Sequence, residues 1–362
     1  MINNNIIILG AGKSQIHLIE KASQLALNVF AVDQDKNAPG FHLADYNINV
    51  STYDPESIFS ELKREFDNIK ISGIINSSSG PPVLTKAMLS KTLNLQTYPI
   101  NIADIIIHKS KMVQYCHEYN ISAPKVIIFK EGSKIDPYNI SYPVVIKPSL
   151  SLIGKSGVYI VNKPEELLSK LNSAIKYSLD GFINIEEYIE GDDVSFLSFI
   201  KKGEIKTQLI VDEINSIDAT GLHYGIGYAI PSKYSNTDLE NKITNLAKSL
   251  IDIFKLSTTT FNFSCRISKN KEPVLIEIHL ELGGDLVWDV LIPKSVNVDI
   301  LSDGIRILSG LNRSSPNYKI KPTAVIYHPG SKLITDRSYD IIQAIDREEL
   351  EVKLNNSINI YE

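Results

Sequence analysis

The chain opens on a rhythm of short apolar runs and amphipathic segments. Ile6–Leu9 is a continuous apolar run, the pattern of a strand covered on both faces. Gly10-Ala11-Gly12 makes a turn, and Ile16–Leu27 places Ile16, Ile19 and Leu27 at helical spacing. Val29–Asp33 and Ile71–Ile75 read as further strands, and Pro55–Phe66 as an amphipathic helix behind Asp54. This alternation predicts a parallel, doubly wound sheet over residues 1–98.

Beyond residue 98 the pattern changes. A helix is expected over Ile105–Tyr119, and strands over Lys125–Phe129, Val144–Lys147, Gly157–Val161 and Phe182–Tyr188, with a helix at Pro164–Tyr177. Lys202-Gly203 separates the strands Ser195–Ile200 and Ile205–Val211, and Ser268–Glu272 separates Thr260–Ile267 from Val274–Ile278, each as a hairpin. Asp238–Ile253 is a long helix, and Pro322–Tyr327 with Ile334–Tyr361 reads as a small terminal sheet element. The fold class is therefore α/β followed by α+β, rich in antiparallel pairs.

At 362 residues, two or three domains are expected. A hydrophobic content of 43% supports a real core, and no apolar run approaches the ~20 residues a membrane span needs. A net charge of -5 gives no global reason to bind nucleic acid. Cys116 and Cys265 are the only cysteines, too few for a disulfide scaffold and outside zinc-ligand spacing. Free thiols suit a reducing compartment, and the N-terminus lacks a basic region followed by a long apolar one, so a cytoplasmic location is expected.

Several segments carry candidate chemistry. Gly10–Ser14 is no P-loop, because Ile7 stands where the first glycine is needed, and Gln15 replaces the third glycine of a dinucleotide fingerprint. Ser149–Gly157 is a small, polar, glycine-bearing loop after the apolar run ending in Lys147. Such a loop can fold its N–H groups over phosphates while the lysine adds an ammonium. Glu186–Asp193 ends a strand and turns on Gly191, where backbone groups and acids can meet a base and a ribose. Glu277 lies between Ile276 and Ile278 in an apolar strand. Burying a carboxylate unpaired is costly, and magnesium on nucleotide phosphates is a fitting partner.

In this order the segments resemble the ATP-grasp superfamily, nearest to carboxylate–amine ligases such as the L-amino acid ligases, with biotin carboxylase and carbamoyl phosphate synthetase as wider kin. The likeness implies an ATP-grasp fold with a Rossmann-like pre-grasp domain at 1–98, small and lid subdomains at 99–190, a large subdomain at 191–310 and a terminal sheet element at 311–362. It implies ATP and Mg2+ as cofactors, with Lys111 and Lys147 as the phosphate lysines and Ser151, Gly154, Ser156 and Gly157 in the lid. Glu187 and Ile189 match backbone contacts to adenine, Glu186 the acid beside them, and Asp193 the ribose acid. Ala219–Gly225, with His223 and Tyr224, and the 279–285 turn, with Gly284, match acceptor-facing positions. Substrate choice is also assigned to the Asn76–Gly80 loop. The partners implied are a small carboxylate and a small amine, with no nucleic acid or membrane, and a homodimer as in related folds.

The departures fall at the metal and substrate positions. The likeness calls for a second metal carboxylate about thirteen residues before Glu277, where Ser264 stands. His279 replaces a usual asparagine and Glu281 a usual arginine, so the metal candidates are Glu277, Ser264 and His279. Arg266, one strand alternation from Ser264, is a candidate for the lost positive charge, and the catalytic set is Lys147, Arg266 and Glu281. Three readings stay open. Glu281 meets a cationic substrate group; Glu281 replaces the missing metal ligand; or the site has lost ligation and keeps nucleotide binding or another phosphotransfer.

Overall fold

The computed structural model describes residues 4–66, 69–151, 156–284, 286–313, 317–328 and 338–361. Its first sheet joins β1 (Asn5–Leu9), β2 (Asn28–Val32), β3 (Tyr46–Ile48) and β4 (Ile71–Asn76) in the order β3-β2-β1-β4, all parallel. Every residue of β1 is buried. Ile6 and Ile8 pack on one side with Leu18 and Ile19 of α1 (Ile16–Gln24). Ile7 and Leu9 pack on the other with Ile58 and Leu62 of α2 (Pro55–Glu65) and Leu89 of α3 (Pro81–Thr92). The Asp54 carboxylate starts α2 by accepting from Ser57 N at 3.0 Å. Strand order reverses around β1, which opens a crevice at the carboxyl ends of β1 and β4.

The helix expected over Ile105–Tyr119 is two helices, α4 (Ile100–Ile107) and α5 (Lys109–Glu118). His108 between them is extended, and Lys109 N donates to Ser149 O at 2.9 Å instead of to the preceding turn. A second, antiparallel sheet runs β5 (Val126–Lys130), β8 (Phe182–Glu187), β6 (Val144–Pro148), β7 (Tyr159–Val161), with α6 (Pro164–Ala174) packed on it through Leu167 and Leu171.

The third sheet has seven strands in the order β13-β12-β9-β10-β11-β14-β15. They are β9 (Gly191–Lys201), β10 (Glu204–Ile217), β11 (His223–Ile230), β12 (Thr259–Ser268), β13 (Pro273–His279), β14 (Thr323–Tyr327) and β15 (Tyr339–Gln343). On one face Phe196, Phe261 and Phe263 pack against α7 (Asp238–Ile253). On the other, Leu197 and Phe199 pack under α9 (Ile300–Leu308), which follows the short α8 (Ile292–Ser295). The terminal strands do not stand apart, because β14 pairs with the outer edge of β11 and leaves no open ladder there. Arg347–Tyr361, read from sequence as part of a sheet, is the helix α10, which packs Leu350 and Leu354 on β14.

Candidate active site

The polar face of the large sheet is laid out by period-two alternation and register. Ser264 of β12 lies opposite Ser195 of β9 and Glu277 of β13, and Arg266 lies opposite Asp193. Opposed residues share a face with their Cβ atoms roughly 5 Å apart, so these side chains emerge together. The second sheet brings Lys147 on β6 and Glu186 on β8 towards that face, and the break at His108 brings Lys109.

Four charged groups, Lys109, Glu277, Lys147 and Glu186, meet across the cleft. Lys109 Nζ lies 2.8 Å from Glu277 Oε1. Lys147 Nζ lies 2.8 Å from Glu186 Oε2 and donates to Ile276 O at 3.3 Å. Asn184 Nδ2 holds the other Glu186 oxygen at 2.8 Å. Burial pushes the Glu277 carboxyl up, but Lys109, His279 and Lys147 outweigh it and bring it down to about 2. Burial opposes charge on His279, yet Glu277 and Glu281 raise it to about 9.

Lys111, the lysine singled out by sequence, is not in this cluster. Its side chain is 47% exposed and pairs with Asp104 at 2.7 Å, whereas that of Lys109 is 16% exposed. The signal missed was the helix break, which turns Lys109 into the cleft and leaves Lys111 outside.

At the opposite end, Arg266 grips both Asp193 oxygens at 2.7 Å and donates to Ile189 O at 2.9 Å. Its guanidinium lies over the Tyr188 ring. Asn215 Nδ2 also donates to Asp193, at 2.7 Å, and His223 Nε2 lies 3.9 Å away. Arg266 is thus committed to the Asp193 end, and does not occupy the place of Glu281. Glu187 N and Oε1 are both taken by the Lys125 backbone at 3.0 Å.

Ser264 has a carboxylate at hand from Glu213, which lies on β10 just beyond the Ile205–Val211 range read from sequence. Glu213 Oε1 on β10 accepts from both Ser264 Oγ and Ser195 Oγ at 2.6 Å. Glu281 is 3% exposed, accepts from His279 Nδ1 at 3.2 Å, and faces the buried Lys86 of α3. The turn that follows is tied to the first domain, where Leu282 N donates to Asn76 O at 3.0 Å; Gly284 lies beyond it, exposed.

The β10–β11 hairpin tip reaches the second sheet. Ile160 N donates to Gly221 O at 2.8 Å, and His223 N to Val158 O at 3.1 Å. Gly221 has φ +81°, and a Cβ there would lie 2.7 Å from Ile160 O, so this approach requires glycine. Tyr224, beside it, is exposed. Ser151, Ser156 and Gly157 of the loop after β6 are among the described residues, whereas Gly154 lies outside them.

No protein-family model matches the chain. It is 27% identical over 212 residues to a formate-dependent phosphoribosylglycinamide formyltransferase of Prochlorococcus marinus subsp. pastoris, covering 56% of this chain and 52% of that protein. The chain therefore matches about half the length of the curated relatives it resembles. Among solved structures it is similar to an L-amino acid ligase of Bacillus licheniformis, with TM-score 0.79, 16% identity and coverage of 97% and 96%. It is also similar to an Aspergillus clavatus N5-carboxyaminoimidazole synthase in complex with ADP and 5-aminoimidazole ribonucleotide, with TM-score 0.75, 13% identity and coverage of 99% and 98%. The fold of this chain is the ATP-grasp fold, and its N-terminal parallel sheet is the Rossmann-like part of it. Among the described residues no helix is long and apolar enough to cross a membrane.

Proposed function

We propose that the chain is an ATP-dependent ligase that joins a small carboxylate to a small amine through an acyl phosphate. The observation that carries this reading is the convergence of Lys109, Lys147 and Glu277 between the two antiparallel sheets. Phosphoryl transfer needs charge neutralisation and alignment rather than a protein nucleophile. Lys109 and Lys147 supply two ammonium groups for the phosphates. Asp193, held by Arg266 and Asn215, presents a fixed carboxylate for the ribose hydroxyls.

Among the described residues no three His, Cys, Asp or Glu side chains form a ready-made metal cage. That suits magnesium, which is ordinarily held by one or two carboxylates together with substrate phosphates. The carboxylates beside the cleft are hard oxygen donors, Glu277 and, through the Ser264 and Ser195 hydroxyls, Glu213, with the His279 imidazole next to Glu277. Glu277 and Glu213 would hold the ion, which when bound would neutralise phosphate charge. Glu281 does not present its carboxylate to a substrate in this arrangement; it orients His279 at the cleft wall. The carboxylate substrate gains a phosphoryl group as ATP becomes ADP. The amine then attacks the acyl carbon, phosphate leaves, and one proton is released.

The test is release of ADP and phosphate from Mg-ATP across a panel of amino acids, amines and carboxylates, with mass spectrometry of the products. Removing Lys147 alone leaves Glu186 buried and unpaired, at a cost of about 3–5 kcal/mol. The control is therefore the pair Lys147→Met with Glu186→Gln, which removes both charges. Substrate-dependent turnover with a condensed amide, lost in that control, is the expected result. A phosphorylated substrate with no amide would replace this reading with that of a kinase.

A further inference from the structure

Behind the catalytic cleft, where the first domain meets the large sheet, lies a cavity of about 170 Å³. It is walled by β4, α3, the end of β9 and the end of α9. Lys86 and Lys201 line it together with the polar groups of Ser72, Ser90, Gln96 and Thr97, and no Asp or Glu is among its described lining residues. Exposure falls from Gln96 at the mouth, through half-buried Lys201, to Ser90 and Lys86 at 2%.

Two features give the cavity the character of a built site. Thr97 is 8% exposed, and its Oγ1 has no hydrogen-bond partner among the described residues. An unsatisfied buried hydroxyl is rare and calls for an occupant. Lys86 Nζ has one hydrogen-bond partner among the described residues, Thr259 Oγ1 at 3.0 Å, and lies 5.6 Å from the centre of the Tyr98 ring, although an ammonium carries three donors. The wall beside it is closely packed, since a Cβ on Gly73 would lie 2.3 Å from Leu308 O.

We propose that this cavity is a second ligand site, for a small anion of the size of phosphate or a short carboxylate, held by Lys86, Lys201 and the Thr97 hydroxyl. Its volume of about 170 Å³ admits such an anion. Lys86 also feels the charge of Glu281, which links the site electrostatically to the cleft wall. The site stands independently of the reaction proposed above.

Isothermal titration of inorganic phosphate at about pH 6, where the Lys86 ammonium keeps its proton, with acetate in parallel and chloride as the ionic-strength control, tests this. Saturating Mg-AMP-PNP keeps phosphate out of the catalytic cleft. Lys201→Met alters a half-buried rim residue, and Thr97→Val removes a hydroxyl without a hydrogen-bond partner among the described residues, so both variants are expected to fold. The expected result is saturable binding of one phosphate or acetate per chain. Lys201→Met should weaken it about tenfold or more, and Thr97→Val several-fold, with AMP-PNP affinity unchanged, as loss of a charge-assisted hydrogen bond implies. Absence of saturable binding by both anions, or binding indifferent to both variants, overturns the proposal. Acetate binding without phosphate binding identifies the carboxylate as the ligand.

Discussion

Arg266 and Asp193 face each other in register across β12 and β9, and their side chains close a two-point ion pair with both contacts at 2.7 Å. Burial opposes charge on Arg266, but Asp193 overrides it and holds the guanidinium above its usual range. A planar fork fits a carboxylate at two points, which a lysine cannot do. Arg266→Lys is therefore expected to loosen Asp193 and weaken ATP binding about tenfold, a typical loss for one good charged contact. Titration calorimetry checks this, and unchanged affinity would detach Asp193 from nucleotide recognition.

Lys109 and Lys111 are two residues apart and have opposite expectations. Lys109→Ala should abolish turnover and weaken nucleotide binding. Lys111→Ala removes a surface pair with Asp104, a contact worth about 0–1 kcal/mol, and should leave both nearly unchanged. A larger kinetic loss for Lys111→Ala would reverse the assignment.

Glu213→Gln keeps an acceptor for the Ser195 and Ser264 hydroxyls and removes only the charge. The gain in ADP affinity on adding magnesium should shrink in this variant, and Ser264→Glu in the same background should recover part of it. Comparing ADP binding with and without magnesium measures both. A magnesium effect indifferent to Glu213→Gln would leave Glu277 as the protein's metal carboxylate.

Lys86 gives the stability a signature in pH. Burial lowers its ammonium to about 7 from 10.5, against the pull of Glu281. Between those values the unfolded chain binds the proton and the folded chain does not, so this group adds stability as pH rises from about 7 to 10.5. His279, raised to about 9 from 6.5, works in the opposite direction and loses its contribution as pH rises through 9. The two offset each other in the native protein, so the difference between Lys86→Met and wild type is the quantity to measure. Urea unfolding from pH 7 to 10 should show the advantage of the variant shrinking by up to about 1.4 kcal/mol per unit. A constant difference would count against a neutral buried Lys86.

Gly304 on α9 lies over the Phe199 ring, and a Cβ there would come within 2.1 Å of it. Gly304→Ala should cost about 1–3 kcal/mol by overpacking. Adding Phe199→Leu should return part of the loss in a thermal melt. A melt unchanged by Gly304→Ala would show that the helix shifts freely on the sheet.

By itself the sequence determined three of the four strands of the first sheet, both hairpins, the long helix α7 and the apolar setting of Glu277, because each rests on local periodicity or a turn signal. Lys147, Glu186 and Asp193 were legible for the same reason, at the ends of strands marked by apolar runs. Tertiary structure decided the rest. It broke the helix at His108 by giving Lys109 N a partner on Ser149, and so chose Lys109 over Lys111. It placed Glu213 against Ser264 across two ladders, from a residue 51 positions away in sequence. It buried Glu281 against His279 and Lys86, which belong to different elements. It also joined the terminal strands to β11. These outcomes depend on which strands become neighbours, and strand order is set by long-range burial that no local pattern encodes.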